Sequence, residues 1–427
     1  MKKFLLFISV FIYTQYSFAQ KSTVAISIED VTRIEKVLSA DDMQGRATFT
    51  PGIDKAADFI SSEMKKAGLK PFAGNSFFQE FSLQKTSLQT GSAIFGSDSV
   101  AEKNMMLISA EPTVSFSNTS GYEKVHVGPN DTLYSSIQRR MNTGKNYIVF
   151  ADTVHSRPFN GIKRYMSQGT PPSNTIVVIL TTANPDIFTV KARQEVTPMK
   201  LKNVVGVIPG KKRKDEYVIF SGHYDHLGIG KADKDKDSIF NGANDDASGI
   251  TAVLTLAKHF QQQQDNERSI LFAAFTAEES GGYGSQYFSK QLDPAKVIAM
   301  FNIEMIGTDS KWGNNSAFIT GYEKSNMGTI LEKNLEGSAF KFYPDPYPKQ
   351  QLFYRSDNAT LARLGVPAHT ISTSKMDSEK NYHTVNDEFD TLDMKNMTEI
   401  IKAIAISAKS IISGKDSPSR VDASQLR

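Results

Sequence analysis

Two runs, Ile270 to Phe275 and Val297 to Ile303, are apolar at nearly every position. A strand with one wet face alternates polar and apolar residues, so a continuous apolar run needs cover on both faces. That pattern belongs to parallel sheets with helices on either side. The neighbouring segments fit the same plan. Val204 to Ile208 and Tyr217 to Phe220 read as short strands around the charged turn Pro209 to Asp215, which is expected to be a solvated hairpin tip. Ile250, Val253, Leu254, Ala257 and Phe260 fall on one helical face that ends in the polar tract Gln261 to Gln264. Phe318 to Thr320 and Pro367 to Ile371 add strands, and Ser356 to Leu364 and Lys395 to Ile412 add helices. This order predicts an α/β three-layer sandwich with a mostly parallel central sheet over residues 196–415, followed by a short tail, 416–427.

Ahead of it, residues 20–84 read as a helical part of the same domain. Ile28, Val31, Ile34 and Leu38 are spaced for one helix, and Ala56, Ala57, Phe59, Ile60 and Met64 for another, with the turn-rich loop 44–52 between them. Residues 85–195 differ. Short β-prone runs alternate there with Gly, Asn, Ser and Pro, without strong helical periodicity, which predicts a smaller β-rich inserted domain. Its His126 and His155 have no acidic or histidine partner at ligand spacing and read as ordinary residues. At the N-terminus, Lys2 and Lys3 precede the apolar run Phe4 to Tyr13 and the small-residue exit Ser17-Phe18-Ala19. The run is too short for a membrane span, so residues 1–19 are expected to be a secretory signal peptide. The mature protein is then exported, to the periplasm or beyond, with no membrane attachment.

An exported chain of 427 residues with no cysteine has neither disulfides nor thiolate ligands. Any metal site must therefore use histidine and carboxylates. The formal charge is +3, falling to +1 without the two signal-peptide lysines, and it offers no argument for nucleic acid as a partner. The candidates sit at strand ends. His223 follows Tyr217 to Phe220, Glu278 and Glu279 follow Ile270 to Phe275, and Glu304 ends Val297 to Ile303. His383 lies in the loop after Pro367 to Ile371, and Asp245 begins a helix. Each has an ordinary explanation as a solvated turn or a helix cap. Together they would converge at the carboxyl edge of a parallel sheet, where such folds bind ligands. Two histidines and three carboxylates there match what a pair of zinc ions needs. Asp225, two residues after His223, suits the carboxylate that orients a ligating imidazole. The run Lys231 to Asp237 lacks the glycine and terminal glutamate of a calcium loop and reads as a solvated loop.

Five motifs carry a resemblance: Ser221-Gly-His-Tyr-Asp-His226, Asn244-Asp-Asp-Ala-Ser-Gly249, Ala277-Glu-Glu279, Asn302-Ile-Glu-Met305 and Tyr382-His-Thr384. With them the chain resembles the di-zinc exopeptidases of metallopeptidase family twenty-eight, which include bacterial leucyl aminopeptidases and glutamate carboxypeptidase. The resemblance covers about 40–75 and 200–410. It implies that Asp245 bridges two zinc ions, with His223 and Glu304 on one and Glu279 and His383 on the other. It implies Glu278 as general base, Asp225 as the orienter of His223, and Tyr382 as a stabiliser of the oxyanion. Many members have aspartate at the place of Glu304, and histidine at the place of Asn358, to which no catalytic role is assigned. The inserted segment sits where some members carry a protease-associated domain.

The implied activity is removal of N-terminal residues from peptide substrates. A carboxypeptidase is the alternative, with Arg355 or Arg363 receiving a substrate carboxylate. A glutaminyl cyclase of this family lacks the first histidine ligand, which His223 supplies here, and receptor-like ectodomains have lost ligands that this chain keeps.

Overall fold

The computed structural model describes residues 26–426; the expected signal peptide lies outside them. Four parallel strands form the middle of the main sheet, in the order Arg268–Phe275, Arg213–His223, Val297–Ile303, Ala368–Ser372. Antiparallel strands flank them. Ser316–Ile319 pairs with Ala368–Ser372 on one side, and Thr189–Ile208 pairs with Arg268–Phe275 on the other. The sheet is therefore mixed: its parallel centre is flanked on both sides by antiparallel pairings, and the edge strand Lys341–Pro344 runs parallel to Ser316–Ile319.

Alternate residues of the central strands serve two separate cores. Val218, Phe220, Ile270, Phe272, Ala299 and Phe301 pack with the helices Ile28–Leu38, Pro51–Lys66, Ser248–Gln263 and Met394–Ser407. Ile219, Leu271, Ala273, Phe275 and Met300 face the other way, against Phe288, Leu361 and Ala362. Cover on both faces is what makes the runs apolar throughout. The helix Ser248–Gln263 has buried residues at nearly every position of its first three turns.

The expected hairpin at 204–220 does not form. The strands Thr189–Ile208 and Arg213–His223 both pair with Arg268–Phe275, which lies between them. The charged turn is held by backbone bonds from Lys211, Lys212 and Arg213 to the carbonyls of Asn266 and Glu267. Adjacency in the chain was a poor guide because the intervening strand supplies the ladder for both.

Thr189–Ile208 is 20 residues long and runs antiparallel to Phe78–Phe95, 18 residues long. Residues 85 and 195 thus both lie inside continuous strands. The ribbon leads to a second, four-stranded sheet in the order Met105–Ile108, Ile176–Leu180, Tyr147–Ala151, Glu123–Val127. This region also holds the helices Leu133–Gln138 and Ser156–Met166, which the sequence reading missed. Only Phe159 and Ile162 of the latter are buried. His155 is buried with Nε2 2.9 Å from the Gly128 carbonyl, a satisfied structural histidine. No helix among the described residues is long and apolar enough to cross a membrane.

Candidate metal centre

Because the four central strands run parallel, their carboxyl ends share one edge. His223 is the last residue of its strand, Glu304 directly follows Val297–Ile303, and Glu278 and Glu279 lie three and four residues past Phe275. Asp245 enters from the loop before the helix Ser248–Gln263. His383 arrives from a loop beyond Ala368–Ser372 and is held at φ +57°. Ala277 and Met305, each beside a glutamate of the cluster, also have positive φ. Such backbone is costly for residues with a Cβ, and it gathers where surrounding structure holds side chains in place for function.

Two sets of donor atoms result, sharing Asp245. His223, Asp245 and Glu304 form one; His226, Asp245, Glu279 and His383 form the other. His223 Nε2 lies 3.2 Å from Asp245 Oδ1, and His383 Nε2 lies 3.2 Å from Asp245 Oδ2 and 3.1 Å from Glu279 Oε1. The cluster thus brings together all five expected ligands, and Glu304 reaches it despite its extra methylene. His226 is the addition. Its ring is fully buried, with Nδ1 2.8 Å from Glu279 Oε1 and 3.9 Å from Asp245 Oδ2.

The residues fit metal ions. Ligand bonds of about 2.0–2.1 Å in tetrahedral geometry put neighbouring donors roughly 3.3 Å apart, close to the separations seen. His383 Nε2 makes no well-aligned hydrogen bond to either carboxylate beside it, and the buried Glu304 Oε2 has no partner. Acceptors left facing one another in a buried site call for a cation between them.

Asp225 does not touch the His223 ring with its carboxylate, which stands 3.8 Å from Nδ1. The backbone carbonyl of Asp225 takes that nitrogen instead, at 3.1 Å. Its carboxylate accepts the backbone N–H groups of Glu278 and Glu279 at 3.0 and 3.3 Å, so it fixes the turn that carries both glutamates. Asp246 plays a similar part for the strand ends. It accepts from the N–H groups of His223, Gly249 and Met305. A Cβ at Gly249 would stand 2.2 Å from the Ile303 carbonyl and 2.4 Å from the Asp246 carboxylate, so only glycine fits.

Burial raises Glu278 well above the usual carboxylate range; the nearby His223 works against that, and Glu304 adds to it. Burial likewise lifts Glu304 to about 7. For Asp245 burial works towards protonation, but the His223 and His383 rings facing its two oxygens at 3.2 Å outweigh it and hold the carboxyl well below its ordinary value. Tyr382 stacks on His383 with ring centroids 3.9 Å apart, and burial together with Asp245, Glu279 and Glu304 raises its phenol, which keeps its proton at neutral pH.

Sequence reasoning missed two further residues. Arg46 is fully buried and donates to the carbonyls of Leu38, Tyr224, Asn241 and Gly242, tying together the loops that bear His223, His226 and Asp245. Asp387 accepts the N–H groups of Asn244 and Asp245 at 2.8 and 3.0 Å. Asn358 is buried in the core, bonded to the carbonyls of Phe353 and Ala368 and to Thr370.

The fold and the cluster define an α/β protein that gathers histidines and carboxylates into a metal-binding edge. Residues 203–407 match the model of Peptidase family M28. It is 35% identical over 112 residues to a probable zinc metalloprotease of Pyrenophora teres f. teres, and 34% identical over 115 residues to one of Pyricularia oryzae. Each match covers 26% of this chain and only 23% and 22% of those relatives. In fold the chain is similar to an aminopeptidase from Aneurinibacillus sp. strain AM-1, with a TM-score of 0.55, 19% identity, and 92% and 95% of the two chains covered. A zinc aminopeptidase from Bacillus subtilis gives 0.54 at 15% identity over 93% and 98%.

Proposed function

We propose that the chain is a zinc-dependent aminopeptidase that binds two ions, and that it works after export. The observation that carries this reading is the pair of donor sets sharing Asp245, with the buried carboxyl of Glu278 beside them. His223, Asp245 and Glu304 would hold one ion, and Asp245, Glu279 and His383 the other. Bound there, zinc supplies Lewis acidity, which polarises a peptide carbonyl and makes water acidic enough to lose a proton near neutrality.

The chain's own residues supply the proton chemistry. Glu278 takes the proton from the attacking water and returns it to the leaving amine nitrogen, which its burial favours by stabilising the protonated form. Tyr382 keeps its phenolic proton and donates a hydrogen bond to the carbonyl oxygen as charge develops there. Asp225 keeps Glu278 and Glu279 in register through their backbone N–H groups.

A small pocket beside Glu304 and Tyr382, lined in part by Phe318, Leu352, Met376 and Arg355, would take the N-terminal side chain. The free α-amine would meet the carboxylates of the cluster. A larger cleft of about 490 Å³ passes Gly281 and Tyr283, just beyond the two glutamates, and would receive the rest of the peptide. The carboxypeptidase reading retains one supporting observation, the exposed Arg355 on the small pocket.

The deciding experiment uses aminoacyl chromogenic substrates, their N-acetylated counterparts and C-terminal peptide substrates, before and after chelation. Cleavage of free-amine substrates alone, abolished by chelator and restored by zinc, is expected. Chelator-insensitive turnover, or equal cleavage of the acetylated compounds, would exclude the reading. N-terminal sequencing of the mature protein tests the expected cleavage near Ala19 or Gln20.

A further inference from the structure

The two donor sets are unequal. The His223 set has three protein side chains, whereas the other has four once His226 is counted. Building on the proposed metal centre, we propose that His226 Nδ1 is a fourth protein ligand to the ion held by Asp245, Glu279 and His383. That set would then supply four protein donors, against three from His223, Asp245 and Glu304.

Three observations lead there. The Nδ1 atom faces Glu279 Oε1 and Asp245 Oδ2, the same two oxygens that His383 Nε2 faces from another side. Four of the pairwise separations among these donors, 2.8, 3.9, 3.2 and 3.1 Å, average close to the roughly 3.3 Å edge of a tetrahedral zinc site. The buried Nε2 of His226 has no hydrogen-bond partner. Nδ1 is thus the ring nitrogen that holds the side chain in place, through the two oxygens it faces.

The arrangement also divides the labour of the two ions. Structural zinc sites have four protein ligands, and catalytic sites have three with one position open to water or substrate. Four donors on the Glu279 side would serve to hold an ion in place, while three on the Glu304 side would leave room for water or substrate.

The test reads metal rather than turnover. Crystals of the wild-type protein loaded with zinc, with the ions located by anomalous scattering, should place His226 Nδ1 within bonding range, about 2.0–2.1 Å, of the ion shared by Glu279 and His383. A ring that stays hydrogen-bonded to Glu279 and out of bonding range overturns the proposal. Titration with chelator gives the second arm. His226→Ala should release one of two zinc equivalents at chelator concentrations lower by about a hundredfold or more, while the other equivalent is retained. Loss of an outer partner alone costs about 10–100-fold, so His226→Gln, which keeps an N–H for Glu279, separates the roles. Affinity restored by glutamine refutes direct ligation, and affinity still lost supports it. Wild-type protein that binds no zinc at this edge would instead defeat the metal centre itself, a result distinct from failure of His226 alone.

Discussion

Two charged regions lie back to back at the carboxyl edge of the sheet, and they treat their charges in opposite ways. In the cluster of Asp245, Glu278, Glu279, Glu304 and His383, side chains face one another, and Glu304 Oε2 and His383 Nε2 are buried without partners. Behind it, Arg46 gives its donors to backbone carbonyls, and Asp246 and Asp387 receive backbone N–H groups. Charges that hold the fold are satisfied by the main chain. Charges reserved for chemistry are held in place by others and left open towards a ligand. The comparison assigns a role from the partner a group keeps, so it can be tested residue by residue.

The largest expected effect is at Glu278. In Glu278→Gln the carboxylate is lost with its shape retained, and kcat should fall by about 10²–10⁴-fold with the zinc content unchanged. Metal analysis alongside turnover checks both. An unchanged rate would remove Glu278 as the base, whereas loss of zinc would move it to the ligand set and break the separation between base and ligands.

Next is Arg46→Met, which leaves the carbonyls of Leu38, Tyr224, Asn241 and Gly242 without their donor. Each unsatisfied buried group costs about 1–3 kcal/mol, and water or rearrangement will meet part of that, so a loss of about 3–5 kcal/mol in unfolding free energy is expected. Denaturant titration of the metal-free variant measures it directly. A variant as stable as the wild type but unable to hold zinc would show that Arg46 serves the ligand loops rather than the fold.

This contrast also marks what the sequence makes legible. The central strands announce themselves because both faces are buried, so Ile270 to Phe275 and Val297 to Ile303 carry no polar alternation. Asp245, Glu279, Glu304 and His383 are legible as a group because parallel strands bring their carboxyl ends to one edge. Arg46 is not, since its partners are carbonyls, and a carbonyl looks the same in every residue. For the same reason the contacts of Asp225 are only partly legible: its carboxylate binds main-chain N–H of Glu278 and Glu279, while its own carbonyl meets His223. The flanking strands Thr189–Ile208 and Arg213–His223 were paired with each other because nothing local in the chain marks Arg268–Phe275 as the strand between them.

Glu35 sharpens the comparison from its middle, and with the smallest effect. It is fully buried near Arg46, yet only Oε2 has a partner, Thr251 at 2.8 Å, and Oε1 has none. Burial lifts its pKa to about 8, against a lowering from the Thr251 hydrogen bond and from Arg46. In the folded chain it is therefore protonated up to about pH 8, while in the unfolded chain it ionises near its ordinary value of 4.5. A carboxyl raised in this way stabilises fully below pH 4.5, and the contribution is lost progressively as pH rises towards 8. Glutamine keeps the acceptor for Thr251 and does not titrate. Glu35→Gln should thus gain stability relative to the wild type between pH 5 and 8, by at least about 1.4 kcal/mol, the equivalent of one pKa unit. Thermal unfolding of both proteins across that range is the measurement. A difference that stays constant with pH would mean that Glu35 is ionised in the fold and paired with Arg46, a second case of charge held for structure rather than an acid kept neutral by burial.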